Sequence, residues 1–360
     1  MSALTTILET CSECQTCVNE CPFLSKLGMT PKRIAEDLMS GVDPTKVYPM
    51  SCFLCGLCRS VCPFSLDIPS MILQARSELS STWGMINACH RLFLADDPVF
   101  IMDIYRRQKG ISYEGMVKEN FNYAFLPGCA MLCFSPKATA KLYDMLSRRL
   151  GEVGLVELCC GKPLYDLGLV ERAASWISKL EEYLKKSGCR SIVTACPNCY
   201  YHLKSMFGGR IEVLTVYDVV GDELKGRVKG LKVTIHDSCP DRFEGLFAKH
   251  VRSLLSECEV IEMKHSKKRS LCCGAGGLVS CIDPSLPAVL SGNRVEEALE
   301  TGADVMVVYC YSCASLFWGS QPTVNVKHIL DLALDTEDES EAVKRGELSQ
   351  VIMKVMSEQM

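Results

Sequence analysis

At 360 residues the chain has room for two or three domains with a sizeable core, since single cores stop growing well below that length. Lys plus Arg number 39 against 43 Asp plus Glu; the formal net charge of -4 excludes a global attraction to nucleic acid or anionic membrane. No run reaches the roughly 18 apolar residues of a membrane helix, and the start, MSALTTILETC, lacks a basic flank before a long apolar stretch. The expectation is a cytoplasmic chain with no membrane segment of its own, peripheral to a membrane only through a partner.

Residues 1–80 hold eight of the 23 cysteines in two runs. Cys11, Cys14, Cys17 and Cys21-Pro22, then Cys52, Cys55, Cys58 and Cys62-Pro63, each follow the bacterial ferredoxin spacing C-x2-C-x2-C-x3-C-P. Two intervening residues let a loop turn three thiolates onto one cubane, while the fourth cysteine reaches the neighbouring cluster. One [4Fe-4S] cluster then takes Cys11, Cys14, Cys17 and Cys62, the other Cys52, Cys55, Cys58 and Cys21. Zinc or disulfides are the alternatives, but zinc prefers four ligands in paired knuckles, and the chain shows no secretory signal. Between the runs, Ile34, Ala35, Leu38 and Met39 fall at helical spacing, which predicts a small helical unit. Residues 81–120 read as connecting helices broken at Asp97-Pro98.

From residue 121 short apolar strands alternate with helices: NYAFLPG, PKATAKLYDMLSRRL, GLVELCCG, a helix to Lys186, and SIVTACP. The pattern returns as LKVTIHDSC, a helix over 242–256, CEVIEMK, SLCCGAGG, a helix around 286–301, and DVMVVYCYSC. The predicted class is therefore α+β multidomain: the helical two-cluster ferredoxin domain, then duplicated α/β, Rossmann-like cysteine-rich domains over 121–228 and 229–335. The charged stretch 336–360 reads as a solvated or frayed tail.

Each copy carries five thiols in one pattern. In the first, 29 residues separate Cys129 from Cys159-Cys160-Gly161, and 35 separate Cys160 from Cys196-Pro-Asn-Cys199. In the second, 32 separate Cys239 from Cys272-Cys273-Gly274, and 36 separate Cys273 from Cys310-Tyr-Ser-Cys313. Nearly all lie at the carboxyl ends of predicted strands, where an open α/β sheet gathers a site. Five ligands exceed the four a cubane uses, so a larger or irregular cluster is implied, with a four-thiolate zinc site plus one idle thiol as the alternative. Gly128, Gly161, Gly274, Gly276 and Gly277 would let backbone approach the cluster and aim N–H groups at its sulfurs.

These motifs, fused behind a two-cluster ferredoxin unit, resemble the B and D subunits of heterodisulfide reductase, most of all the D type, and the iron–sulfur subunits of glycolate oxidase and anaerobic glycerol-3-phosphate dehydrogenase. The resemblance implies a noncubane [4Fe-4S] cluster on Cys129, Cys159, Cys160, Cys196 and Cys199 and another on Cys239, Cys272, Cys273, Cys310 and Cys313. It further implies an oxidoreductase in which electrons from the ferredoxin clusters reduce a small disulfide between the two noncubane clusters, or run backwards to oxidise thiols. The alternative it allows is an electron relay linking a flavoprotein dehydrogenase of glycolate, lactate or glycerol-3-phosphate type to a quinone or cytochrome partner. A shorter first gap, Cys129 to Cys159, predicts a trimmed pocket wall in the first copy.

His236, three residues before Cys239, is a candidate proton donor to a departing thiolate or else a structural hydrogen-bonding group. His265, Lys267, Lys268 and Arg269 either steer an anion or form a solvated loop. Cys89, Cys133, Cys189, Cys258 and Cys281 read as thiols packed like small apolar groups. No glycine-rich nucleotide fingerprint opens a helix after a strand, so any flavin belongs to another polypeptide.

Overall fold

The computed structural model describes residues 2–41, 43, 48–82, 86–320, 323–340, 343 and 346–359. Residues 83–85 of the expected connector and 341–342 and 344–345 of the expected tail lie outside the described residues.

The amino-terminal unit is built from short helices, Ala3–Thr10, Thr16–Glu20, Pro22–Leu27, Pro31–Met39, Leu57–Val61 and Ile68–Thr82. Local chemistry sets their ends: Ser2 and Thr30 accept from the backbone N–H groups of Thr5 and Arg33, and Pro22 and Pro31 occupy first-turn positions that need no donor. Leu4, Ile7, Phe23, Leu24, Ile34, Met71 and Ile72 close one core, while Met39 turns outward. The two cysteine runs repeat the same backbone: Glu13 and Gln15 in the first, Leu54 and Gly56 in the second, all with φ between 54° and 73°. Left-handed conformation costs an L residue roughly 1–2 kcal/mol, so three non-glycine residues held there mark loops shaped by what their thiols face.

Two four-stranded parallel sheets follow. The first takes β1 (Tyr123–Phe125), β2 (Val153–Leu155), β3 (Ser191–Thr194) and β4 (Glu212–Thr215) in the order β2-β1-β3-β4. The second takes β5 (Lys229–His236), β6 (Glu257–Val260), β7 (Val305–Val308) and β8 (Asn325–His328) in the order β6-β5-β7-β8. β3 and β7 are buried along their whole length, as parallel strands covered on both faces should be. The strand order reverses beside β1 and β5, which opens a crevice past the carboxyl ends of β1 and β3 in one sheet and of β5 and β7 in the other. β4 and β8 were not expected from sequence. Each is an edge strand of four residues with a partly exposed, polar sequence, EVLT and NVKH, lacking an apolar run.

Two expectations are corrected. The carboxyl-terminal stretch is not solvated: the helix Glu347–Gln359 buries Val351 and Val355, Val343 joins the same core, and Glu347 pairs with Lys109 of the helix Ile101–Lys109. The Val351/Val355 spacing of one helical turn was hidden by the charged residues before it. Cys89 and Cys281 are not packed thiols but a disulfide, joining the short helix Ala88–Arg91 to the end of the turn Gly276–Cys281. A pairing across 192 residues leaves no local trace.

Candidate functional site

Cys11, Cys14, Cys17 and Cys62 line one surface cavity together with Glu13, Thr16 and Phe64. Cys14 is exposed, and a hydrogen bond with Thr16 lowers its pKa. Cys17 is pushed up to about 11 by burial and by the charges of Cys11, Cys62 and Cys14 around it.

Cys21, Cys52, Cys55 and Cys58 line a second, deeper cavity of about 400 Å³, which Cys272 and His265 also reach. Burial pushes Cys21 to about 12 and Cys52 to about 11, and drives Cys58 well above the usual thiol range. Cys55 moves the other way, because the Cys272 thiol hydrogen-bonds to it and Arg242 is close. Crowded thiols that resist ionisation one by one are what a cationic centre requires of its ligands: binding it releases their protons and relieves their repulsion.

The two later sets occupy the crevices described above. Cys129 follows β1 and opens the helix Cys129–Phe134; Cys196 and Cys199 follow β3 at the start of the helix Pro197–Phe207. Cys159 hydrogen-bonds Cys129 and Cys160, and Cys160 also meets Cys199. The second set copies this: Cys272 bonds Cys239 and Cys273, and the sulfurs of Cys273 and Cys313 lie 3.2 Å apart. Cys160 and Cys273 fall well below the ordinary thiol pKa because of the thiols beside them, Cys159 with Cys199 and Cys272 with Cys313. Their counterparts Cys159 and Cys272 rise, through the bonds to Cys129 and Cys239 first.

The N–H groups of Gly161 and Gly274 point at the sulfurs of Cys159 and Cys272, both at 3.4 Å. Gly128, at φ 101°, permits a different closeness: a Cβ there would stand 2.8 Å from that of Cys196. A Cβ on Gly276 or Gly277 would meet the carbonyls of Phe53 and Cys52 in the amino-terminal unit, so these glycines let the two units touch.

Three contacts between sets were not legible in sequence. Cys55 and Cys272 lie close enough for each thiol to shift the other's pKa, joining the inner amino-terminal set to the second repeat set. Cys196 hydrogen-bonds Cys310, and the Asn198 amide reaches the Cys310 sulfur at 3.7 Å, joining the two repeat sets. Cys17 of the outer set is close enough to Cys58 of the inner for its charge to raise that thiol, so all four sets lie along one path.

Buried imidazoles surround the repeat sets. His236 Nδ1 accepts from Arg294 Nε at 3.0 Å, which puts the ring proton on Nε2; that atom is buried and has no protein partner, and the imidazole stands with a ring nitrogen within 4.8 Å of the sulfurs of Cys273 and Cys313. His202 Nε2, on the helix turn after Cys199 and close enough to Cys160 to feel its charge, is orphaned in the same way. Orphaned N–H donors aimed into thiol-lined sites fit a sulfur-rich group held there, and an all-thiolate donor set is the one iron–sulfur clusters use.

The 4Fe-4S dicluster domain family matches residues 10–67, and the cysteine-rich domain family matches 123–204 and again 233–317. The D subunit of the dihydromethanophenazine:CoB–CoM heterodisulfide reductase of Methanosarcina barkeri is 24% identical over 85% of this chain and 87% of its own length. Over most of its length the chain is therefore similar to the D subunit of heterodisulfide reductase. The B subunit of the fumarate reductase (CoM/CoB) of Methanothermobacter marburgensis is 23% identical over 91% of this chain and 72% of its own. Lactate utilization protein A of Bacillus subtilis is 28% identical over 54% of this chain and 90% of its own.

The chain is thus an iron–sulfur oxidoreductase subunit like these relatives, with an amino-terminal ferredoxin-like domain and two cysteine-rich domains of mixed helix and parallel sheet. Its relatives are subunits of multi-subunit complexes, and no helix among its described residues is long and apolar enough to cross a membrane. Two residues of the site had a weak sequence signal: Lys162, two positions after Cys160, and His202, three after Cys199. Lys162 pairs with Asp166 and feels the charges of both Cys160 and Cys239, so it sits between the two repeat sets. The basic run before Cys272 is spoken for by neighbouring acids: His265 meets Glu297, Arg269 meets Glu20, and Lys267 meets Glu262. Cys133 and Cys189 bond the carbonyls of Met102 and Ser191, and Cys258 packs against the core.

Proposed function

We propose that the chain carries four iron–sulfur clusters in line and uses the last two to reduce a small disulfide, or in reverse to oxidise two thiols. Cubane [4Fe-4S] clusters take the outer set, Cys11, Cys14, Cys17 and Cys62, and the inner set, Cys21, Cys52, Cys55 and Cys58. Noncubane clusters take the two five-cysteine sets, each at the switch point of a Rossmann-like domain, over 121–228 and 229–335. Iron–sulfur clusters supply one-electron carriers at these positions. The reaction balances as one disulfide plus two electrons and two protons giving two thiols.

The observation that carries this reading is the unbroken path of contacts. The exposed Cys14 marks where a partner delivers electrons, the Cys55–Cys272 contact passes them to the second repeat set, and the Cys196–Cys310 contact joins the two sets that flank the substrate. Around that last junction the chain's own residues do the remaining work. His236 holds a proton on Nε2, fixed there by Arg294, within reach of a sulfur leaving at Cys273 or Cys313. The Asn198 amide and the Lys162 ammonium face the same region and offset negative charge there. The partner is an electron-donating subunit such as a flavoprotein, or a cytochrome or quinone-linked membrane protein. In the second reading the chain only relays electrons between such partners; the exposed outer set supports it equally.

Dithionite-reduced chain mixed with low-molecular-weight disulfides separates the two. Thiol formation by the isolated chain is expected. No thiol formed by a chain containing all four clusters would leave the relay.

A further inference from the structure

The two amino-terminal cysteine sets differ in an electrostatic feature that ligand spacing does not reveal. Two guanidinium groups press on the inner set. Arg76, fully buried, donates Nη2 to the Cys52 carbonyl at 2.6 Å and its other nitrogens to the carbonyls of Pro49, Asp166 and Gly277. Arg242, 3% exposed, donates Nε to the Cys55 carbonyl at 3.0 Å and its other nitrogens to the carbonyls of Lys268 and Ser270. Every acceptor is a neutral carbonyl, and neither arginine has an ion-pair partner among the described residues.

An arginine stays protonated in such a place, and burying its charge without a counter-ion is expensive. The inner cysteines lie against both guanidiniums, through the Cys52 carbonyl on Arg76 and the Cys55 carbonyl on Arg242, so negative charge at that site is what both arginines are placed to offset. Each cavity is lined by one glutamate, Glu13 in the outer and Glu20 in the inner, and by no lysine or arginine; what sets the inner apart is the pair of guanidiniums on its ligand carbonyls, while the outer set opens to solvent at Cys14.

We infer that Arg76 and Arg242 are positioning residues that raise the reduction potential of the inner site above that of the outer one, so that electrons entering at Cys14 run inward toward Cys272. The inference rests on the reading that the inner set holds a cubane. Each reduction adds one negative charge. Burial alone disfavours that charge and would set the inner potential lower; two buried cations without an ion-pair partner reverse the order.

The test is a redox titration followed by paramagnetic resonance on the full, cluster-loaded chain, with outer and inner signals assigned through Cys14→Ser and Cys58→Ser. Arg242→Gln lowers the reduced-to-oxidised ratio of the inner signal about tenfold at fixed poise, a shift of about 59 mV for one electron, and leaves the outer signal in place. Arg242→Lys, which keeps the charge, restores most of the difference; Arg76→Gln acts in the same direction where it folds. An inner midpoint unchanged in Arg242→Gln with full iron content overturns the inference. Iron missing from the inner set of the unaltered chain instead overturns the cluster reading on which it rests.

Discussion

Gly277→Ala tests the junction between the amino-terminal unit and the second repeat without replacing a ligand. Gly277 has φ +66°, and a Cβ there would lie 2.5 Å from the Cys52 carbonyl oxygen and 3.0 Å from the Phe53 Cα, both backbone atoms that cannot rotate away. The left-handed conformation costs alanine about 1 kcal/mol, and forcing the extra methyl into packed backbone adds about 1–3 kcal/mol. Gly110 separates the two terms, because it has φ +63° with nothing within 4 Å of the added Cβ. Thermal unfolding of the cluster-loaded chain should therefore fall about threefold further for Gly277→Ala than for Gly110→Ala. Because the same shift moves Cys52 and Cys55 away from Cys272, rapid-mixing kinetics should also show slower reduction of the repeat clusters at unchanged iron content. Equal melting losses in the two variants, with unchanged internal electron transfer, would refute the close approach.

A second expectation concerns pH. Burial raises the Asp331 carboxyl from 3.8 to about 7, and Tyr311 and Thr336 donate to it. The folded state thus holds a proton that the unfolded chain releases, and stability from this group falls as pH rises from about 4 through about 7. His328 and His90, lowered by burial to about 3 and about 4, pull the opposite way below their unfolded value of 6.5. The readout is therefore the difference between Asp331→Asn and the unaltered chain, which should grow in favour of the variant across that window in melting curves; a flat difference contradicts the burial argument. His236→Gln should keep full iron content yet lower thiol formation from a disulfide by about 10²-fold or more, and turnover within a factor of two of the unaltered chain would make His236 structural.

The parts that were legible in sequence are those written in local spacing. C-x2-C-x2-C-x3-C-P fixes which thiols share a loop, and β1, β3, β5 and β7 are apolar enough to stand out before their cysteines. β4 and β8 were missed because edge strands need little apolar surface, and the helix Glu347–Gln359 because its Val351/Val355 stripe follows a charged stretch. What sequence could not express is long-range contact. The Cys55–Cys272 and Cys196–Cys310 contacts, the Cys89–Cys281 disulfide and the carbonyl cages of Arg76 and Arg242 each join residues distant along the chain. Gly276 and Gly277 show the same limit: their place in GAGG suggested a cluster wall, and tertiary packing instead lays them on the Cys52–Phe53 backbone.

The most direct test of the central claim is iron and acid-labile sulfide per chain on anaerobically prepared protein, with paramagnetic resonance spectra of the oxidised and reduced forms. Four clusters in line predict about 16 irons with matching sulfide and signals of two distinct kinds. About 8 irons with cubane signals alone would contradict the account, leaving the amino-terminal pair intact and the repeat cysteines without the centres on which disulfide chemistry depends.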